Sequence, residues 1–466
     1  MMRLVYYVDM KNIFVHLLVV LLLACKQKPI YDMGILDVNR INIESGEIDN
    51  VDIYINQDRI VSIQSADSKD FPSEEIINAR GAFAIPGLWD NHIHFRGGES
   101  LRKDNEIFLE QLINHGITSV RDAGGDLTPN IKKWQLEILE NKRVGPTIFT
   151  SGPKIDGKNS TWQGSLEVES EIELDQALDS LEKLEVDFIK LYDSKLSGNL
   201  FLSALKKSTK RGLKSSGHMP FDVTLNQAID AGMNGVEHLY YILKGSSNKE
   251  SEITNQFQND AISFWEAMPL LINTYDESTA KGLFDRLNHK EIFVVPTLYI
   301  GHTLSYLDEF DHSDDEYLNI LSPAFKMTYE RRVKNALNSS PETRAQRKKL
   351  DEFFRKLTLK IHEAGVELMA GSDAGAYNSY IYPGPSLHKE LESLVAVGLS
   401  PLEALKTSIV NGPKWLGVED DYGVIANGKK ADILLLKKNP LIDIKNTISI
   451  QAVIRNGHLM NKNIEE

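Results

Sequence analysis

The sequence predicts an α/β fold: a (β/α)8 TIM barrel with a small composite β-sandwich built from the N- and C-terminal segments. Three observations lead there. Short β-type runs broken by Asn, Asp, Gly and Ser fill residues 32–84 and return after Tyr422. Between them, buried apolar strands alternate with helical stretches, the pattern of a parallel sheet with helices outside. Eight such strands are present, the number a closed barrel needs.

The elements follow in chain order. Lys11 leads into the apolar run Ile13 to Ala24, which is shorter than the roughly 20 residues that span a bilayer. Residues 1–24 are therefore expected to be a cleaved signal peptide, with Met10 as an alternative start to Met1. Cys25, directly after Ala24, resembles the cysteine that becomes lipidated in bacterial lipoprotein signals, so the expectation is an exported lipoprotein, membrane-anchored at the periplasmic or outer-membrane face. A plain secretory signal is the alternative. Cys25 is the sole cysteine, which excludes a disulfide within the chain.

Residues 30–84 carry the alternating runs Val51 to Ile55 and Arg59 to Ile63, and residues 421–466 carry Gly423 to Ile425, Ala431 to Leu436 and Ala452 to Gly457. Neither piece can bury a sheet face alone, so the two ends are expected to meet in one sandwich. Residues 85–420 form the barrel. Its expected strands are Ile85 to His94, Thr118 to Asp122, Thr147 to Gly152, Asp187 to Tyr192, Leu213 to His218, Asn234 to His238, Ile292 to Leu298 and Glu367 to Asp373. The long connections 240–290 and 301–350 are expected to be lids or specificity loops. The acidic run Asp308 to Glu316 within the second reads as a solvated face. A net charge of −14 argues against nucleic-acid binding, which needs clustered Lys and Arg to displace counterions.

Chemistry concentrates at the strand ends. His92 and His94 lie two apart, so one strand face carries both imidazoles. Lys190, His218, His238 and Asp373 each close a later strand, and a barrel brings all these ends to one mouth. His92, His94, His218, His238 and Asp373 are thus candidate ligands for zinc-type ions. Asp373 has an alternative use as a helix cap. Lys190 shares a face with Phe188 and Tyr192; it either reaches out to solvent or, deprotonated, captures carbon dioxide as a carbamate that bridges two metals. Arg96, Tyr192, Tyr240 and Tyr241 sit just past ligand positions and are candidates for substrate contact, with packing roles as the alternative. His115 and His362 read as structural, and His388 as structural or substrate-facing.

These residues resemble the amidohydrolase superfamily, and within it imidazolonepropionase-like and prolidase-like (Xaa-Pro dipeptidase-related) members. The resemblance rests on Ile85-Pro86-Gly87 with Asp90 to His94, Gly116 to Asp122, Phe188-Ile189-Lys190, Val236-Glu237-His238 and Ala370 to Ala374. It continues through Ser386 to Leu391, Pro401 to Leu405, Gly428 to Ile433 and Asn439-Pro440-Leu441. It implies two divalent metal ions, zinc being the first expectation: His92, His94 and Asp373 on one, His218 and His238 on the other, with carbamylated Lys190 and a hydroxide bridging them. It also implies hydrolysis of a C–N bond in a small peptide or cyclic amide, Asp373 being the catalytic acid/base. An esterase, lactonase or organophosphate-type hydrolase on the same metals is the alternative, and a non-catalytic surface-binding lipoprotein is the alternative of another class. A small-molecule substrate and a lipid anchor are the expected partners, and an oligomer stays open.

Overall fold

The computed structural model describes residues 31–66 and 71–462, so the expected signal segment and Cys25 lie outside the described residues. The chain opens with β1 (Tyr31–Ile41), β2 (Ile48–Asn56), β3 (Arg59–Ser65), β4 (Ser73–Asn78) and β5 (Phe83–Pro86). β1, β2 and β3 pair antiparallel, whereas β4 and β5 run parallel to β1. The expected single strand from Ile85 to His94 is divided at Gly87. Ile85 and Pro86 stay in the terminal sheet, and a new strand, β6 (Leu88–Ile93), starts the barrel. Gly87 permits the break, since a Cβ there would lie 2.1 Å from Thr118 Oγ1.

The barrel continues with β7 (Ile117–Asp122), β8 (Thr147–Thr150), β9 (Ile155–Asp156), β10 (Leu166–Glu167), β11 (Ile189–Leu191), β12 (Ser215–Gly217), β13 (Gly235–Glu237) and β14 (Phe293–Val295). β6, β7 and β8 pair in parallel, as do β9, β11, β12, β13 and β14. The third barrel strand is broken: β8 faces β7, and β9, beyond the positive-φ Gly152, faces β11. Asp187 N to Thr150 O, at 2.9 Å, joins the two halves.

The expected eighth strand is extended but makes only isolated bridges, Val294 with Leu368 and Ile93 with Ala374. It still closes the barrel. Met369 N donates to Val294 O at 2.9 Å, Asn91 N to Ala370 O at 3.0 Å and His94 N to Ala374 O at 2.8 Å. A regular ladder fails because Gly371 presses against His92, where a Cβ would come within 2.6 Å, and because Asp373 turns to φ 56°.

Helices cover the barrel. Gly198–Lys210 shows why they form: Ser197 caps its start, and Phe201, Ala204, Leu205 and Ser208 recur at helical spacing as the buried stripe. The two long connections are helical rather than loop-like. The first contains Tyr240–Gly245, Glu250–Gln258, Phe264–Asn273 and Glu277–His289, and the second contains Leu298–Ser305, Pro323–Leu337 and Pro341–Glu363. The acidic run is only partly a solvated face, since Asp315 holds His312 and Tyr382 while Asp308 holds Lys348. Among the described residues no helix is long and apolar enough to cross a membrane.

β15 (Ile433–Leu436), β16 (Ile450–Arg455) and β17 (His458–Lys462) complete the terminal sheet in the order β17-β16-β15-β5-β1-β2-β3. Gly423 to Ile425 is not a strand. β15 explains its own unbroken apolar run: Ile433 and Leu435 join the sandwich core with Ile35, Ile53 and Ile454, while Leu434 and Leu436 join the barrel's core. Burial on both faces removes the polar alternation and locks the two domains together.

Candidate metal centre at the barrel mouth

The barrel interior is layered. At its base Trp415, from helix Asn411–Leu416, packs with Phe188, Phe293, Val295 and Met369. Above them lies a charged pair, Arg121 and Glu237, both 0 % exposed, with Arg121 Nη2 donating to Glu237 Oε1 at 2.6 Å. Arg121 rests 4.5 Å from the Trp415 ring centroid and 5.1 Å from that of Phe188, and its Nε donates to Asn91 O at 2.7 Å. Burial would raise the Glu237 carboxyl, but Arg121, Lys190 and His92 hold it well below the usual carboxylate range. Glu237 also accepts from Ser216 Oγ and, at 2.6 Å, from His92 Nδ1.

The next layer gathers the expected ligands. His92 Nε2 and His94 Nε2 are 3.2 Å apart; Asp373 Oδ1 is 3.6 Å from the first and 3.2 Å from the second. His238 Nε2 is 3.9 Å from Asp373 Oδ2. One ligand atom each from His92, His238 and Asp373 falls within 4.8 Å of the others. The His218 ring stands edge-on to His238, with centroids 4.8 Å apart.

All four imidazoles are held from behind at Nδ1. His92 is held by Glu237, His94 by Gly124 O at 2.7 Å, His218 by Asp193 Oδ1 at 3.2 Å and His238 by Thr297 Oγ1 at 2.7 Å. This leaves Nε2 of each ring for the site, the arrangement that orients metal-ligating histidines. Burial pushes His92 down against the pull of Glu237, and burial pushes His94 and His238 far down, helped by Arg96 and His218 respectively, so these three rings are neutral and offer lone pairs. With the Nδ1 protons committed, two Nε2 lone pairs and a carboxylate oxygen converge, a set of acceptors that a shared cation satisfies. The donor set therefore fits a divalent ion of zinc type.

The backbone is bent to deliver these groups. His238 at φ 65°, Thr297 at φ 48° and Asp373 at φ 56° all occupy the left-handed region that side chains rarely adopt. Asp373 is no helix cap; Asn378 Nδ2 donates to its Oδ1 at 2.8 Å. Burial would raise its carboxyl, but His92, His94 and His238 hold it well below the usual range. Asp90 fastens the same corner, accepting from Ser372 N at 2.9 Å and His92 N at 3.2 Å.

Lys190 points into the barrel rather than out to solvent. It is 1 % exposed, its Nζ lies 3.8 Å from Glu237 Oε1, and that nitrogen has no hydrogen-bond partner. Burial pushes it down to about 8, against the pull of Glu237. A cavity of about 170 Å³ opens above these residues, and Arg96, Tyr192 and Tyr240 line it, as do Lys154, Trp162 and Arg332. Tyr241 does not line it; its hydroxyl donates to Asp193 Oδ2 at 2.8 Å. His388 is structural, bonded to Thr447 Oγ1 and His115 O. His115 bonds Gln111 O, and His362 lies 3.4 Å from Glu403.

Sequence reasoning missed Glu237 and Arg121 as partners. Their signal was present: one acidic and one basic residue set inside the apolar strands Gly235-Val236-Glu237 and Ser119-Val120-Arg121, both fully buried. Lys154 and Arg332 carried no periodic signal, because one follows the kink after Gly152-Pro153 and the other lies in an inserted helix.

With this geometry established, comparison with known proteins places the chain. Residues 291–460 match the amidohydrolase family. The fold is shared with the bottromycin amidohydrolase (TM-score 0.72, 21% identity, covering 91% of this chain and 86% of that one). It is also shared with a Xaa-Pro dipeptidase solved with methionine bound in its active site (TM-score 0.67, 19% identity, covering 92% and 100%). In sequence the chain is 21% identical over 443 residues to adenine deaminase 1 of Latilactobacillus sakei subsp. sakei (strain 23K), covering 93% of this chain and 59% of that protein. The chain thus spans under two thirds of that relative's length. Its C-terminal third thus matches the amidohydrolase family, whose members usually hold divalent metal, and its fold is the one these solved structures share.

Proposed function

We propose that the protein is a metal-dependent amidohydrolase that cleaves the C–N bond of a small peptide or cyclic amide. The observation that carries this is the set of four imidazoles, each fixed at Nδ1, gathered with one ionised carboxylate at the mouth of a barrel. His92, His94 and Asp373 would hold one divalent ion, and His218 and His238 a second. When bound, such ions acidify water to near neutrality and polarise the carbonyl under attack.

The chain's own residues supply the rest. Asp373 stays ionised and faces three histidines, so it can take a proton at a carboxylate oxygen and pass it to the departing nitrogen. Asn378 fixes one of its oxygens and thereby the direction of the other. A lysine pushed to about 8 is partly neutral at physiological pH, the form that attacks carbon dioxide. Forming the Nζ–C bond with loss of one proton would turn this buried amine, which makes no hydrogen bond, into an anionic ligand beside the ions that His92, His94, Asp373, His218 and His238 would hold. Arg121 and Glu237 below it keep the charge of that layer balanced and hold His92 in one tautomer.

The test is metal analysis of the purified protein with a screen of dipeptides, cyclic amides and ester controls. We expect activity that chelators remove and zinc, cobalt or manganese restores, and a fall in rate of about 10² to 10⁴ in Asp373→Asn. Protein that holds no metal, or cleaves only esters, would overturn the reading. The lipoprotein assignment is proposed on the sequence alone, from Lys11, the apolar run and Cys25.

A further inference from the structure

Two further cavities continue outward from the one above the ligand cluster. A middle cavity of about 300 Å³ shares Tyr240, Leu304, Arg332 and Phe354 with it. An outer cavity of about 330 Å³ shares Trp265, Arg347 and Leu350 with the middle one and no lining residue with the first. The three therefore follow one another away from His94, His238 and Asp373, and the last lies between the helices Phe264–Asn273 and Pro341–Glu363.

Two helical faces wall the outer cavity. Trp265, Met268, Pro269 and Ile272 recur at i, i+3, i+4 and i+7 on the first helix, and Thr343, Gln346, Arg347 and Leu350 repeat that spacing on the second. One wall is thus apolar throughout and the other is amphipathic. The Trp265 ring, 56 % exposed, stands edge-on to Tyr240 with centroids 6.3 Å apart, and Tyr240 stands edge-on to Phe354 at 5.1 Å. These rings lead through the middle cavity toward the ligands. The charged groups there do not interrupt the path: Asp351 holds His302 at 3.1 Å and Arg332 donates to Asn378 Oδ1 at 3.0 Å. Arg331 is exposed and Arg347 half-buried, so both can keep their heads in water. An apolar wall left open in line with a reaction site gains free energy when hydrocarbon displaces water from it.

We propose that the row of cavities is one elongated subsite and that the substrate is an amide bearing a long alkyl chain, which runs from the scissile bond past Tyr240 and Phe354 to the face of Trp265, Met268 and Ile272. This rests on the hydrolase reading and names its substrate class. The experiment titrates the metal-loaded protein in a calorimeter with two neutral series, N-alkanoyl-glycinamides and N-alkyl-acetamides, with chains of about two to ten carbons, and follows their hydrolysis. Each added methylene should tighten binding by up to about fourfold, so the longest members should bind at least about 100-fold better than the shortest. The series that shows the gain tells which side of the amide carries the chain. Gln346→Trp, at an exposed position, places an indole in the outer cavity and should cut the long-to-short ratio by about tenfold or more. Trp265→Ala, which strips the apolar wall, should cut it too. A ratio near one in wild type, or a ratio that both variants keep, overturns the subsite while cleavage of the short amides leaves the hydrolase reading standing. A large ratio that the variants lose, without cleavage of any compound, supports the subsite and moves the failure to the hydrolase reading. No binding by any member overturns the subsite.

Discussion

Exchanging Glu237 for glutamine keeps the shape of the side chain and removes one buried negative charge. That charge meets Arg121 at 2.6 Å, His92 Nδ1 at 2.6 Å, Lys190 at 3.8 Å and the Ser216 hydroxyl. Two separate losses follow. Arg121, 0 % exposed, keeps only Asn91 O and the faces of Trp415 and Phe188, and breaking a buried ion pair from one side costs about 3–5 kcal/mol. His92 loses the carboxylate that fixes its tautomer, and such a loss lowers metal affinity about 10- to 100-fold. Urea unfolding of chelator-treated protein reads the first effect, and competition with a zinc chelator reads the second. Adding Arg121→Met removes the stranded cation. The double variant should therefore recover much of the stability while zinc binding stays weak. Glu237→Gln with wild-type stability and wild-type affinity would refute the layered reading; recovery of affinity in the double variant would show that Glu237 acts through Arg121 and not through His92.

Other consequences are as direct. Lys190→Ala should lower bound metal from about two ions per chain to one, measured by elemental analysis, and added bicarbonate should raise metal loading in wild type but not in the variant. Glu390 is buried, accepts from Leu298 N and Tyr299 N, and is raised by burial from 4.5 to about 7. Its proton is held more tightly when folded, so its contribution is full below pH 4.5 and is lost as pH rises to about 7. Glu390→Gln, neutral throughout, should gain relative to wild type across that window by up to about 3 kcal/mol, from a 2.5-unit difference, in denaturant titrations at each pH. Cys25→Ser should abolish incorporation of labelled fatty acid in a bacterial host and release the protein from the membrane fraction.

Much of the centre was legible before the fold was known. His92 and His94 declare themselves because a strand repeats every two residues, so two such histidines share a side wherever the strand lies. Lys190 lies within its strand, His218 and His238 directly follow theirs and Asp373 follows the bridge at Leu368, and closure of a barrel is enough to make neighbours of residues far apart in the chain. An eighth strand was expected at Glu367 to Asp373, where Gly371 and the left-handed Asp373 leave isolated bridges in place of a ladder. The long connections were visible as long, but not as helices carrying cavity residues such as Arg332.

The amino-acid order by itself determined the alternation of strand and helix, the meeting of the two chain ends and the identity of the candidate ligands, because these depend on period and on composition within a few residues. Only the tertiary structure decided which groups stand behind the ligands. Glu237 against His92, Gly124 O against His94, Asp193 against His218 and Thr297 against His238 are contacts across different strands, and no local period encodes them. The same holds for Arg96, Lys154 and Arg332, which line one cavity only once the barrel is closed. Charge balance in a buried layer is a property of the assembled barrel.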